Sequence, residues 1–132
     1  MLHDPHNISE PVLVISGLTY LLPFYIAINK KRRFDAFSFL FLTCTTVGFH
    51  GTRNEMIFIA DCLAILIFLA RTYYVSLHCT MKSRIIFYLS VVYSFTSYFV
   101  GMYLRIMSFH PNWNTQMFYH SLMHLSTAFS IN

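Results

Sequence analysis

Four ionisable side chains stand out among those inside or beside long apolar stretches, where such groups are rare. They are His50, Asp61, His120 and His124. Carrying a charged group into the centre of a bilayer costs roughly 2.5 to 3.5 kcal/mol on insertion scales, so these groups usually face a partner, a cavity or a site. The four residues are therefore the first candidates for function.

The types and spacing of these residues indicate metal chemistry. His120 and His124 are four residues apart, so on a helix they project from one face and can hold one ion. With His50 they make three imidazole ligands, which leave one position of tetrahedral zinc open for water, as in catalytic sites. Asp61 could accept the proton of that water. Thr46, one turn before His50, could donate a hydrogen bond to a developing oxyanion or orient a ligand.

Each residue taken alone also has an ordinary explanation. A histidine at a membrane interface, such as His50, is common, and two histidines at this spacing often occur by chance. Asp61 could cap a helix or pair with Arg53. The hydroxyl of Thr46 could bond its own backbone, as threonines in membrane helices often do. These alternatives stay open at the level of sequence.

The composition predicts the elements that must position these residues. Of 132 residues, 56% are hydrophobic, 18% aromatic and only 11% charged, against roughly 25% charged in a soluble domain. This balance excludes an ordinary soluble globule and predicts an all-α membrane protein in a single domain, residues 1–132. The formal net charge of +4 comes from basic clusters beside apolar runs, so no nucleic-acid partner is expected.

Five stretches are long and apolar enough for membrane spans, each of which needs about 20 residues. They cover approximately 11–28, 34–50, 56–78, 85–104 and 112–131. Basic residues concentrate in or beside the first and third breaks between them, namely Lys30, Lys31, Arg32, Arg33, Arg71, Lys82 and Arg84. The positive-inside rule then places the amino terminus outside or in a lumen and the carboxyl terminus in the cytosol.

This topology places all five candidate residues in the outer half of the membrane, which is a condition for one shared site. It also places the glycosylation sequon that starts at Asn7 on the outer side. The expected location is an integral membrane protein of the endoplasmic reticulum, Golgi or plasma membrane. The cysteines form no CxxC pair, so no disulfide framework is predicted.

The order of these motifs resembles the CREST superfamily of membrane proteins. Thr46-Val47-Gly48-Phe49-His50, then Asp61, then His120-Ser121-Leu122-Met123-His124 is similar to its signature of SxxxH in one helix, Asp in the next and HxxxH in the last. That superfamily contains the alkaline ceramidases, the progestin and adipoQ receptors, and the GPI-remodelling and myomaker-like proteins. Its members generally have seven helices, so this chain resembles a shortened form.

The resemblance implies zinc ligands at His50, His120 and His124, Asp61 beside the zinc water, and Thr46 at the signature serine position. The implied activity is zinc-dependent hydrolysis of an amide or ester bond in a membrane lipid, with ceramide, a glycerophospholipid or a GPI lipid as substrate. The alternative is a non-catalytic scaffold or fusion-type protein, in which a metal or a His and Asp network only holds helices together. Self-association into a homo-oligomer is compatible with both.

Overall fold

The computed structural model describes residues 10–130, and all its regular structure is helical. Five long helices follow one another along the chain: α1 Pro11–Asn29, α2 Arg33–Thr52, α3 Glu55–Ser76, α4 Met81–Leu104 and α5 Trp113–Phe129. A 3-10 turn lies within α1 at Leu18–Tyr20, and a π turn lies within α4 at Thr96–Val100. The sequon at Asn7 lies outside the described residues.

The prediction of an all-α fold is confirmed, and the five helices correspond to the five predicted stretches. Three of them, α1, α3 and α4, are long and apolar enough to cross a membrane, as expected of an integral membrane protein. The other two combine apolar residues with the polar residues of the candidate site, and α5 has only 17 residues. Passage of α2 and α5 through the membrane, and the direction of every span, remain predictions.

Side chains at the helix starts explain several of the observed bounds. The amide oxygen of Asn54 accepts hydrogen bonds from Met56 and Ile57 and caps α3. Thr80 caps α4 and Asn112 caps α5 in the same manner. Such side chains accept hydrogen bonds from backbone N–H groups of the first turn, which have no partner within the helix. With Thr80 as its cap, α4 begins four residues before the predicted span. The charges of Lys82 and Arg84 made this first turn look like part of the polar break.

The helices pack as an arc in the order α3, α2, α1, α5, α4. Tyr20 of α1, Phe39 of α2 and Phe68 of α3 are buried together at the core of the arc. Within residues 10–130, α2 and α5 have no Cα atoms within 8 Å of each other, nor do α3 and α5, and α3 approaches α4 only sparsely. The arc therefore has an open side between α3 and α4.

Candidate metal centre

Three histidines from two separate helices meet at one end of the bundle. His50 is in the last turn of α2, and His120 and His124 are on one face of α5. One ring nitrogen from each lies within 4.8 Å of the other two. His50 and His124 are buried and His120 is half-buried. The three residues that the sequence predicts as ligands are thus brought together, and they could hold a metal ion.

Hydrogen bonds fix the ring of His50. Its Nδ1 lies 2.7 Å from Glu10 Oε2, and Glu10 also pairs with Arg53. An ionised carboxylate only accepts hydrogen bonds, so the proton belongs on Nδ1 and the Nε2 lone pair is left for an ion. The backbone N–H of Glu10 also donates to the His50 carbonyl, at 2.9 Å. Glu10 therefore ties the start of α1 to the end of α2.

The ring of His124 is oriented in a similar way by Ser16. Ser16 Oγ lies 2.9 Å from His124 Nδ1 and donates its own hydrogen to the Leu13 carbonyl at 3.1 Å. Because that hydrogen is already used, the oxygen accepts from Nδ1–H, and Nε2 of His124 is free. Neutral imidazoles held by a hydrogen bond on the second nitrogen are the usual arrangement of histidine metal ligands.

Asp61 of α3 lies close to this cluster and is held by two hydroxyls of α2. Thr45 Oγ1 donates to Asp61 Oδ1 at 2.9 Å, and Thr46 Oγ1 donates to the same oxygen at 2.7 Å. Thr46 precedes His50 by four residues, so its hydrogen bond to Asp61 lies about 6 Å from His50 along the axis of α2. Within the described residues, Asp61 Oδ2 receives no protein hydrogen bond, and that oxygen remains available to accept a proton.

The donor set suits a borderline metal ion such as zinc. Three neutral imidazole nitrogens are preferred ligands of zinc, and three protein ligands leave a position for water or substrate. The nearby carboxylate of Asp61 adds a proton acceptor. Arg53 does not pair with Asp61, as one reading of the sequence allowed, because it pairs with Glu10.

Sequence reasoning missed three residues of the site, Glu10, Ser16 and Thr45. Glu10 lies before the first apolar stretch, where an acidic residue gives no sign of contact with a histidine 40 positions later. Ser16 is 108 residues from its partner His124, a separation at which no local spacing could reveal the contact. Thr45 precedes Thr46 directly, and a second hydroxyl beside a candidate residue was the one available signal.

Comparison with known proteins adds no family to this geometry. The chain matches no family model, no curated protein and no solved structure.

Proposed function

We propose that this chain is a polytopic membrane hydrolase that uses zinc to cleave an amide or ester bond of a membrane lipid. All five helices would cross the membrane, with the amino terminus outside and the histidines in the outer half. The observation that carries the proposal is the convergence of His50, His120 and His124, with Asp61 nearby. This set matches the expectation from the CREST-like motif order.

The residues of the site have separate roles in this proposal. Zinc bound by the three imidazoles would acidify a water and polarise the scissile carbonyl. Asp61 accepts the proton of the attacking water on Oδ2 and returns it to the leaving amine or alkoxide. Thr45 and Thr46 keep the carboxylate turned toward the site through its other oxygen.

The open side of the arc supplies a path for a lipid substrate. The two helices that border this side, α3 and α4, carry exposed large apolar side chains, among them Leu63, Leu66 and Leu89. Acyl chains can contact such surfaces while the headgroup stays near the histidine end. A site close to one membrane surface also receives water, which hydrolysis consumes. Ceramide, glycerophospholipid and GPI lipid all offer a carbonyl beside acyl chains.

The first test is the zinc content of the detergent-purified protein, measured by elemental analysis. We expect about one zinc per chain in the native protein and none in a His120→Ala, His124→Ala double variant. His78→Ala is the control, because His78 is exposed and outside the cluster, and this variant should keep its zinc. Native protein that binds no zinc even after reconstitution with the metal would contradict the proposal.

A structural role is the second candidate, because the histidines join α2 and α5, whose backbones do not approach each other. A metal there would hold two helices together in a scaffold or fusion-type protein. Asp61→Asn distinguishes the two roles. In a hydrolase this variant keeps its zinc and loses turnover of ceramide or glycerolipid ester, because Asn cannot accept the proton. In a scaffold it leaves function unchanged, and no lipid is hydrolysed.

A further inference from the structure

A second cluster of charged residues lies at the other end of α2 from the histidines. Asp35 is 15 residues before His50, which on a helix corresponds to about 22 Å. Asp35 is buried, and its two carboxylate oxygens each accept a hydrogen bond from an arginine Nε, one from Arg32 and the other from Arg71 of α3. One carboxylate thus holds two guanidinium groups side by side.

These arginines retain most of their hydrogen-bonding capacity. A guanidinium has five N–H donors, and each arginine uses its Nε–H on Asp35. Among the described residues, the terminal nitrogens of Arg32 and Arg71 donate no hydrogen bond to protein. Their side chains are 35% and 30% exposed, so an external acceptor can reach them. Asp35 therefore holds the two guanidinium groups in position, while their terminal N–H donors have no acceptor among the described residues.

The surrounding charge is strongly positive. Lys30, Lys31 and Arg33 are exposed beside the pair. In the sequence, Asp35 is the only acidic residue between positions 11 and 54, and none follows Asp61. Two arginines against one carboxylate leave a net positive charge at this point, and no other acidic side chain is near enough in sequence to offset the lysines. An anion is the expected ligand.

Aromatic groups next to the arginines indicate an anion that belongs to a lipid. The Arg71 guanidinium carbon lies 5.6 Å from the ring centre of Phe34 and 5.2 Å from that of Tyr74. Both rings are more than half exposed, as is Phe37 one turn along α2. Arginine beside exposed aromatic rings is typical of the membrane interface, where headgroups meet acyl chains. A free phosphate would gain nothing from these apolar surfaces.

We propose that Arg32 and Arg71 bind the phosphate headgroup of an anionic membrane lipid. Guanidinium groups match phosphate oxygens with paired N–H donors, and Asp35 orients both for that purpose. The exposed rings contact the start of the acyl chains. The site is separate from the histidine cluster, and the inference does not depend on whether the protein is a hydrolase.

The test is lipid retention by the delipidated protein in detergent, measured by native mass spectrometry during titration with phosphatidic acid and with phosphatidylcholine. We expect preferential retention of phosphatidic acid, weakened about tenfold or more in Arg71→Gln and also in Arg71→Lys. The lysine variant keeps a positive charge beside the buried Asp35, so weaker lipid binding by this variant is not a result of misfolding. Lys82→Gln removes one exposed positive charge from the same predicted side and should bind normally.

Two results would overturn the proposal by indicating another kind of anion binding. One is equal weakening in Arg71→Gln and Lys82→Gln with full binding in Arg71→Lys, which would mean diffuse attraction by net charge. The other is competition by inorganic phosphate at the same concentration as the lipid, which would mean a site for free phosphate. Equal retention of phosphatidylcholine and phosphatidic acid would also contradict a site selective for an anionic lipid.

Discussion

The histidines of the cluster depend on neighbouring groups for their chemistry. A neutral imidazole can carry its proton on either nitrogen, and only one of these forms directs Nε2 to an ion. Glu10 and Ser16 select that form in His50 and His124. Ser16 lies in α1 and Glu10 directly precedes that helix. At the scale of residues, the first helix and the residue before it therefore orient the histidines of α2 and α5.

Glu10→Gln tests this orientation. The amide can still accept a hydrogen bond from His50, but it has no charge to pair with Arg53 and can also present its NH2 group to the ring. We expect zinc affinity to fall about 10- to 100-fold, as when the partner of a ligating histidine is removed. Affinity is measured by competition with a chromogenic chelator.

Glu55→Gln is the matched control, since Glu55 is an exposed glutamate at the same end of the bundle. It should leave zinc affinity unchanged. Equal affinity in Glu10→Gln and the native protein would show that Glu10 does not support the site.

The histidines of the cluster and Asp61 could be singled out from the sequence, whereas their hydrogen-bond partners could not. Ionisable residues within apolar stretches are few, and the depth of each span limits which of them can meet, so His50, His120, His124 and Asp61 were identifiable. Glu10 gives no such signal, because an acidic residue before a span is common. The hydrogen bond between Thr46 and Asp61 depends on which faces of α2 and α3 pack together. Hydropathy does not determine those faces.

At the scale of elements, the connection after α4 is held by close contacts. The π turn at Thr96–Val100 precedes it, and Ser97 there is fully buried with its Oγ 2.6 Å from Ser108 Oγ. The chain then reverses through Arg105 and Met107, both in the left-handed region at φ 54° and 53°. The reversal brings the Ile106 carbonyl against Gly101.

Gly101→Ala should destabilise the fold. A Cβ at this position would lie 2.8 Å from the Ile106 carbonyl oxygen, a backbone atom that can move only if the reversal shifts. We expect a loss of about 1 to 3 kcal/mol in the free energy of unfolding, measured by thermal unfolding in detergent. Gly51→Ala should be neutral or stabilising, because the nearest atom to its Cβ is 4.0 Å away and Ala favours the helix.

The helix bounds could largely be predicted, but the reversal could not. Apolar stretches located all five helices to within a few residues. Nothing in the run from Thr96 to Val100 marks a π turn, and left-handed residues are usually glycine or asparagine rather than Arg105 or Met107. Packing of the reversal against α4 and α5 decides these conformations.

At the scale of the molecule, the histidine cluster joins α2 and α5, which within residues 10–130 have no Cα atoms within 8 Å of each other. Metal bound there should therefore raise the stability of the whole bundle. A ligand present at 100 times its dissociation constant stabilises the folded state by about 2.7 kcal/mol. We expect added zinc to raise the unfolding temperature of the native protein and a chelator to lower it. The double variant His120→Ala, His124→Ala should respond to neither, and an equal response would place the metal elsewhere.

The orientation of the arc can be tested with Cys79. This residue lies in the connection between α3 and α4, on the side predicted to be cytosolic, and Cys44 and Cys62 can be replaced by Ala. A membrane-impermeant maleimide should then label Cys79 only from the cytosolic side. Thr52→Cys, made without the native cysteines, should be labelled only from the opposite side, because Thr52 is exposed at the other end of α2. The reverse labelling pattern would mean that the topology is opposite to the predicted one.

The short length of α5 has a consequence for the surrounding lipid. Its 17 residues extend about 26 Å at 1.5 Å per residue, less than the roughly 30 Å of an average hydrocarbon core. The neighbouring α4, with 24 residues, extends about 36 Å. In the proposed topology, in which α5 crosses the membrane, the bilayer would thin beside α5 or draw the helix inward, and the second response would carry His120 and His124 away from water. Membrane thickness would then regulate the site, and thin membranes such as that of the endoplasmic reticulum would favour it.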